Sequence, residues 1–580
     1  MNPSSYPFNL SEDKESLSIL SFTSHHQIIK LWLTRGLLWY YAFNHEEAVY
    51  CFKQAVEIDP NCIMGHYGIA ISNGPNYNTP LMSRDSFPSA KDAYHHAIKS
   101  YDIMKQISSN NILSDIEKSL VEALQCRFNP LNDVNDGKPV DQNTLAYIDA
   151  MKEVYDKYPD SACVACMYAE ALMNTAPWKL WNLDTGIPTP YAERARAVLS
   201  NALAFAPGHP GLNHFLIHLM EMSPEPYVAL EACQKLRYEC CPDAGHLIHM
   251  PSHIYVLLGM YDDAADCNIE AIAVDNKYVA KEGIFNYYTG YRIHNMHFVA
   301  YAAMFAGQFE KAMSACRDIQ GTLPENLLSD PVLATYFESF YSLNMHVLVR
   351  FGRWQEILDY ELPGNTEIYP YTIAICHYSR GIANSVQGNI SAALKEEELF
   401  NESRKKVPSE RVLHNNLCSD MLAVGAAMLR GEILYRQGQH EAAYESLQSA
   451  CILSDNLVYD EPWGWMQPPS HALGALLLEQ GHVDRAELQY RRDMDTSFYG
   501  RCHPDNIWAL RGLHSCLIQK MSQETSAEAK QLLKTEIDAI SVKLSKIQTK
   551  SDVDISVSCM CAVGIPERNH VGGGCCRNST

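Results

Sequence analysis

The chain has 580 residues and a formal net charge of −22, with 47% hydrophobic and 20% charged residues. This length exceeds what one compact core usually holds, so several domains or one elongated repeat array are expected. A strongly acidic surface repels phosphate backbones, which argues against nucleic acid as a main ligand and favours basic partners. Residues 1–16 lack a secretory signal pattern and no apolar run reaches transmembrane length, so the cytoplasm is the expected compartment.

After an N-terminal segment, residues 1–28, the pattern of a helical repeat begins. Residues 29–62 follow the spacing of a helix-turn-helix unit of roughly 34 residues, in which small residues let helices A and B approach closely. Large residues fill the gap between the helices, and a proline stops helix B. The positions that match the consensus of the tetratricopeptide repeat (TPR) are Trp32, Gly36, Ala48, Phe52, Ala55 and Pro60.

Less regular copies of this unit predict an all-α fold, a TPR-type α-solenoid, over residues 29–548. Such a solenoid is a right-handed superhelix of helix-turn-helix repeats. Insertions are expected at 72–88 and 176–191, and a last amphipathic helix over 523–548 should cap the array. Residues 549–580 form a Cys- and Gly-rich tail without helical period, which is expected to be flexible. The later copies contain Gly259 with Ala264, Gly307 with Ala312, Gly481 with Ala486, and the segment 437–449.

Histidines recur at one position of the repeat. In four units a histidine lies fifteen positions before the small helix-B residue: His214 before Ala229, His249 before Ala264, His297 before Ala312 and His471 before Ala486. Further histidines lie about one turn before or after these positions: His218, His246, His253 and His294. Neighbouring A helices pack roughly 8–10 Å apart, so the imidazoles of adjacent repeats are predicted to converge.

This histidine set is the candidate metal site. The pairs His214–His218 and His249–His253 each place both rings on one face of a helix, with His246, His294 and His297 as further ligands. Glu221 follows His218 by three residues and is predicted to be a ligand, a partner of a ligand or the catalytic residue. Pro251 weakens the helix between His249 and His253 and is expected to re-aim the residues before it. An imidazole-rich site suits a divalent ion, Zn, Cu or Fe, without choosing among them.

Other interpretations of these histidines stay open. A single helical histidine is usually packed or exposed without function, and a TPR groove often carries polar residues that bind a peptide. The HxxxH pairs also differ from the HExxH motif of zinc peptidases, because no Glu lies between the histidines. His66 falls outside the register and is expected to be structural. The sequence contains no glycine motif for phosphate or dinucleotide binding, so no nucleotide cofactor is expected.

The tail contains a CxC pair, Cys559 and Cys561, and a CC pair, Cys575 and Cys576. Such thiolates can hold Cu(I) or Zn, but this spacing does not match a paired CxxC site, so free thiols or lipid-modified cysteines are the preferred interpretation. A less favoured hypothesis makes the tail a carrier that passes Cu(I) to the histidines.

Several longer strings resemble a family of large, functionally uncharacterised bacterial and fungal TPR proteins, over roughly residues 30–515. The resemblance implies the TPR fold and makes the histidine-rich face a family feature, but it implies no reaction. The strings are YAFNHEEAVYCFKQAVEIDPNC (41–62), GPNYN (74–78), AEALMNTAPWKLW (169–181), HPGLNHFLIHLME (209–221), AGHLIHMPSHIY (244–255) and EPWGW (461–465).

Two functions of different class follow from these patterns. The first is a metal-dependent enzyme, redox or hydrolytic, acting on a small molecule, for example in specialised metabolism. The alternative is a non-catalytic TPR scaffold that binds a peptide or protein partner in its concave groove. An open groove would favour the scaffold, and a closed, aromatic-lined pocket would favour the enzyme. The aromatic residues expected to line such a pocket are Tyr255, Tyr287, Tyr288 and Tyr291.

Overall fold

Helices dominate the part of the chain that the computed structural model describes, which is residues 5–79, 88–106, 113–129 and 142–562. The named strands there are β1 (Val412–Leu413) and β2 (Asn416–Leu417), which pair antiparallel. An all-α fold is therefore confirmed. Most of the Cys/Gly-rich tail, 563–580, and part of the first predicted insertion, 80–87, lie outside the described residues.

The first of two compact units comprises Met1–Val299 and Thr496–Pro504. Its helices are α1 (Gln27–Tyr41), α2 (His45–Ile58), α3 (Ile63–Asn73), α4 (Pro88–Gln106), α5 (Asp115–Arg127), α6 (Gln142–Lys157), α7 (Ala162–Met173), α8 (Pro190–Phe205), α9 (Pro210–Met220), α10 (Leu230–Tyr238), α11 (Gly245–His249), α12 (Pro251–Leu257), α13 (Tyr261–Glu282) and the start of α14 (Thr289–Ala306).

The second unit comprises Ala300–Asp495 and Asp505–Thr580, so the boundary between the units falls within α14. Its further helices are α15 (Phe309–Thr322), α16 (Glu325–Leu328), α17 (Pro331–Phe337), α18 (Leu343–Arg350), α19 (Trp354–Asp359), α20 (Pro370–Val386), α21 (Ile390–Ser403), α22 (Cys418–Arg436), α23 (His440–Asp455), α24 (Pro469–Glu479), α25 (Val483–Met494), α26 (Ile507–Gln523) and α27 (Ala527–Gln548).

The repeat predicted at 29–62 forms as the helix pair α1 and α2. The ring of Phe52, 1% exposed, fills the space between α1 and α3, because both helices have a glycine against it. A Cβ atom added to Gly36 would lie 2.8 Å from this ring, and one added to Gly68 would lie 2.3 Å from it. The small and large residues of the repeat therefore act by close packing, as their spacing predicts.

The same packing recurs in the second unit. Tyr490 on α25 is buried between α24 and α26, where a Cβ atom on Gly474 would lie 2.6 Å from its ring and one on Gly512 would lie 2.2 Å from it. The last helix, α27, begins at Ala527 rather than at 523, because Ser526 caps it and accepts a hydrogen bond from the Ala529 amide at 3.3 Å.

The turn between helices A and B of a repeat uses a left-handed residue five positions before the small helix-B residue. Gly259, Gly307 and Gly481 have φ values of 70°, 74° and 79° there. In the first repeat the equivalent residue is Phe43, which keeps the left-handed conformation with φ 55°. A bulky residue with a left-handed backbone is strained, so other contacts of the Phe43 ring must stabilise it.

In the helical array the free cysteines are buried except for Cys126, which is partly exposed. The free-thiol interpretation is wrong for the CxC pair, since Cys559 and Cys561 form a disulfide. Their Cα atoms are 5.3 Å apart, which a disulfide can span. Cys575 and Cys576 lie outside the described residues.

Among the described residues, no helix combines the length and the apolar character needed to cross a lipid bilayer.

Candidate metal centre

Four helices of the first unit carry the predicted histidines. α9 carries His214 and His218, α11 and α12 carry His246, His249 and His253, and α14 carries His294 and His297. The predicted break at Pro251 is confirmed, because α11 ends at His249 and α12 begins at this proline. The break lets His249 and His253 turn toward each other, with their Nε2 atoms 2.8 Å apart.

The histidines meet in two groups. In the first triad, His214, His218 and His246, one ring nitrogen from each residue lies within 4.8 Å of the others. In the second triad, His249, His253 and His294, the same limit holds. A separation of this size between three nitrogen atoms is compatible with a shared metal ion.

Glu221 connects the two triads. It follows α9 directly, and its Oε1 lies 3.1 Å from His218 Nδ1 while its Oε2 lies 2.8 Å from His253 Nδ1. His218, Glu221 and His253 also form a third group of potential ligands within 4.8 Å. The carboxyl group therefore contacts the Nδ1 atom of one imidazole in each triad. This is the arrangement in which a carboxylate orients a metal-binding imidazole.

The Nδ1 atoms of two further histidines contact neutral hydrogen-bond acceptors. His214 Nδ1 lies 2.7 Å from the carbonyl oxygen of Tyr41, and His249 Nδ1 lies 2.7 Å from Asn268 Oδ1. The amide of Asn268 donates to the carbonyl of Ala264 at 2.7 Å, which fixes its oxygen toward His249. Both acceptors require Nδ1 to carry the proton, so the Nε2 atoms of His214 and His249 have lone pairs that face the triads.

Burial disfavours the charged form of these rings. His214 and His249 are 0% exposed, and His218, His246 and His253 are each below 5%. Burial lowers the pKa of His218 and of His249 to about 3 and lowers those of His214 and His246 well below their usual range. Burial also raises the pKa of the Glu221 carboxyl well above its usual range. Neutral imidazoles are the form that binds metal.

Phe43 is an important residue of this site that sequence analysis missed. Its ring stacks on His218 and His246 at interplanar angles of 17° and 16°, and its centroid lies 4.4 Å from that of His214. The ring therefore covers the first triad, and the left-handed backbone of Phe43 places it there. The signal was available, since Phe43 occupies the turn position at which later units have glycine.

The insertion loops supply the other walls. Tyr77, from the GPNYN string, lies 4.7 Å from His218, and its hydroxyl accepts a hydrogen bond from the Trp178 amide at 3.2 Å. Asn78 donates to the hydroxyl of Tyr291 at 2.7 Å, and the Tyr291 ring lies 4.7 Å from that of His246. On the second triad, Phe298 stacks on His253 at an interplanar angle of 21°. The first insertion therefore contributes to the histidine site directly, and Trp178 of the second holds Tyr77 in place.

Some predicted residues lie outside the triads. His297 is fully buried on α14 but belongs to neither. Of the expected aromatic lining, Tyr291 packs on a triad, and Tyr288 accepts a hydrogen bond from the His246 amide at 3.1 Å. Tyr255 instead bonds to Gln234, and Tyr287 is 52% exposed. The pocket lining was thus only partly predicted.

His66 has the structural contacts expected of it. Its Nε2 lies 3.1 Å from the carbonyl oxygen of Pro60 and its Nδ1 lies 2.7 Å from the Nδ1 of His96. The carbonyl requires Nε2 to carry the proton, so the remaining nitrogen accepts from His96.

A buried cysteine–histidine pair is also present in the first unit, but its protons are placed wrongly for nucleophilic catalysis. Cys163 Sγ lies 3.3 Å from His209 Nε2. His209 Nδ1 accepts a hydrogen bond from the Leu212 amide at 3.1 Å, so Nε2 carries the proton and cannot accept one from the thiol. Burial raises the pKa of Cys163 to about 11, which keeps it a thiol.

Comparison with known proteins identifies one part of the chain. Residues 29–62 match the model of the tetratricopeptide repeat family. The chain contains a TPR unit. No curated protein matches the sequence. The resemblance to a particular family of large TPR proteins therefore stays a prediction.

Three solved structures illustrate the likeness to other proteins. Yeast Tom70 is 12% identical, with 91% of each chain covered and a TM-score of 0.25. Human IFIT1 in a dimer with m7Gppp-AAAA is 14% identical, with 76% of this chain and 94% of that chain covered and a TM-score of 0.32. The APC/C hetero-tetramer Cut9–Hcn1 is 12% identical, with 91% of this chain and 97% of that chain covered and a TM-score of 0.24. Because every TM-score is below 0.5, none of these likenesses bears on function.

Proposed function

We propose that this protein is a non-catalytic TPR scaffold that binds a peptide or protein partner. The observation that carries the proposal is the TPR unit at 29–62, together with the recurrence of its packing around Tyr490. Arrays of such units commonly hold an extended peptide or a helix against their A helices. The family match supports this function better than the metal-dependent enzyme that the histidines first suggested.

The histidines lie in a closed, aromatic-covered site, the feature expected of an enzyme, but the closure leaves no room for a substrate at the triads. A catalytic metal site keeps an open coordination position for water or substrate. Here His214, His249 and Glu221 are 0% exposed, and aromatic rings cover the triads. A substrate would reach these atoms only after surrounding side chains moved away.

The charge of the chain indicates the chemistry of the partner. The acidic residues number 68 against 46 lysines and arginines. An excess of this size attracts basic segments and repels acidic ones at distances up to about 10 Å in dilute salt. A Lys- or Arg-rich peptide, or a basic face of another protein, is the partner class that fits.

The test is a binding titration of the full chain with three fluorescent peptides of equal length: basic, uncharged and acidic. The basic peptide is expected to bind, and its affinity should fall as salt rises from about 50 to 300 mM. An acidic protein without TPR units, matched in net charge, is the control. Equal binding of the basic peptide to that control, or no binding to this chain, would contradict the proposal.

A metal-dependent enzyme is the second candidate, favoured by one observation. Two histidine triads and a shared carboxyl group supply the ligand types of hydrolytic and redox metal sites. The test compares metal-loaded and chelator-treated chain for ester and phosphate hydrolysis and for oxygen consumption with a reductant. Activity that requires metal and is lost in Glu221→Gln would support this candidate, and equal rates in all samples would remove it.

A further inference from the structure

We infer that the first unit binds two divalent transition-metal ions, one in each histidine triad, with Glu221 orienting one imidazole of each. This inference goes beyond the scaffold function and does not depend on it. The ion of the first triad would connect α9 with α11, and the ion of the second would connect α11, α12 and α14.

The direction of the ring nitrogens supports one ion per triad. In His214, His218, His249 and His253 the Nδ1 atom contacts an acceptor outside the triads, namely Tyr41, Glu221, Asn268 and again Glu221. All four rings therefore direct Nε2 inward. Ligands of protein-bound metal ions show this pattern, because a hydrogen bond at the outer nitrogen fixes the tautomer and raises the basicity of the inner one.

The second triad contains a conflict that a cation resolves. His249 Nε2 has a lone pair, because Asn268 takes the proton of Nδ1. When His253 donates its Nδ1 proton to the Glu221 carboxylate, its Nε2 also has a lone pair. These two nitrogens lie 2.8 Å apart, where two lone pairs repel each other. A metal ion between them removes the repulsion, and the alternative is a proton passed from Glu221 through His253.

The first triad contains unsatisfied nitrogen atoms. Among the described residues, neither His218 Nε2 nor His246 Nδ1 has a hydrogen-bond partner, although both side chains are 3% exposed. A buried polar atom without a partner destabilises the fold, so a bound group at this position is favoured. A metal ion would accept the lone pair of His218 Nε2. The other ring nitrogen, Nδ1, carries the proton and contacts Glu221.

The spacing of the triads suits a tetrahedral ion. Metal–nitrogen bonds of about 2.0–2.1 Å place two ligands of a tetrahedral ion about 3.3 Å apart. The Nε2 atoms of His214 and His246 are 3.2 Å apart. The pair at 2.8 Å would open by about half an ångström on binding, a shift that a small rotation of His253 provides. Three imidazoles without a thiolate suit Zn²⁺, Cu²⁺ or Fe²⁺.

The experiment measures metal content of the full chain, purified without a histidine tag, stripped with chelator and reloaded with Zn²⁺ or with Co²⁺ as an absorbing probe. The wild type is expected to hold about two equivalents, with the visible bands of four-coordinate Co²⁺. Less than half an equivalent after reloading would overturn the inference and leave the shared proton as the explanation of the close histidine pair.

Two variants assign the ions to the triads. His246→Gln should lose one equivalent and His294→Gln the other, and the double variant should lose both. His96→Gln is the matched control, because it removes a histidine from another close imidazole pair of the same unit and should keep both equivalents. Helical content by circular dichroism accompanies each variant, and a folded single variant that retained two equivalents would contradict the assignment. A wild type that held a single equivalent, lost in both variants, would refute two separate ions.

Glu221→Gln tests the orienting role separately from ligation. The variant retains an oxygen acceptor and should keep two equivalents while weakening Zn²⁺ affinity roughly 10–100-fold, the effect of removing a carboxylate behind a metal-bound imidazole. Unchanged affinity in a competition titration with a chelator would show that Glu221 does not orient the ligands.

Discussion

The two units use histidines of the same repeat register in opposite ways. In the second unit His471 has an ionic partner on each side: its Nε2 lies 2.7 Å from Asp493 Oδ2, and its Nδ1 accepts from Arg350 at 2.7 Å. In the first unit His249 has an amide oxygen on one side and another imidazole on the other. The repeat therefore buries a histidine at this position, and the neighbouring residues decide whether its contacts are complete or leave room for a ligand.

The largest effect expected from this difference is loss of stability of the metal-free first unit in acid. Burial holds several of its histidines at pKa values of about 3 to 4, against 6.5 for an exposed ring. The unfolded chain therefore binds more protons, and stability is lost as the pH falls below 6.5. At pH 5 each such group lowers the free energy of unfolding by up to roughly 2 kcal/mol. The first-unit groups are His45, His96, His209, His218 and His249. In the second unit burial lowers the pKa of His346 to about 4.

Hydrogen exchange at pH 7.5 and pH 5.5, corrected for the intrinsic rate, checks this prediction. Helices α9 to α12 should lose protection before α22 to α25 do. Buried carboxyl groups oppose the effect, since burial raises the pKa of Asp275 to about 7 and acid relieves its charge. Equal loss of protection in both units would mean that these opposing groups cancel the difference.

The second largest effect is expected at Phe43. Phe43→Gly supplies the residue that other repeats have at this turn and relieves about 1 kcal/mol of backbone strain. It also removes a buried ring that contacts three histidines, at a cost of about 3–5 kcal/mol. A net destabilisation of about 2–4 kcal/mol in a denaturant titration is expected. A stabilised variant would mean that the ring contributes less than the strain it imposes.

The fold was largely predictable from the sequence, and the histidine site was predictable in part. Close packing around Phe52 follows from residue size at fixed spacing, which a sequence displays directly. The meeting of His214 with His246, and of His249 with His294, follows from the register of neighbouring A helices. Phe43, Tyr77 and Asn268 were missed, because a turn, an insertion and a helix-B amide reach the site through three-dimensional packing that no local pattern records.

The third prediction compares the two register histidines by substitution. His471→Phe should destabilise the second unit by about 2–3 kcal/mol whether or not metal is present, because Asp493 and Arg350 stay buried without their shared partner. His249→Phe should cost about 1 kcal/mol in the stripped chain, where Asn268 loses one bond, and considerably more in the metal-loaded chain. Melting temperatures of each variant, with and without Zn²⁺, measure the effects of the two substitutions. If His249→Phe destabilised the stripped and the metal-loaded chain equally, the two histidines would not differ in the way proposed.

The smallest effect is expected at an unconstrained turn of the second unit. Gly438 has the left-handed φ of 79°, and an added Cβ atom would meet nothing within 4 Å. Gly438→Ala should therefore cost only the backbone penalty, about 1 kcal/mol. Phe43→Ala in the first unit keeps that penalty and loses the ring as well, so it should cost more than both Phe43→Gly and Gly438→Ala. Denaturant titration measures the loss of unfolding free energy in each variant. If Phe43→Ala and Gly438→Ala lost the same amount, the packing of the Phe43 ring on the histidines would contribute nothing to stability. The contacts of that ring would then not explain why the chain has a strained phenylalanine at this turn.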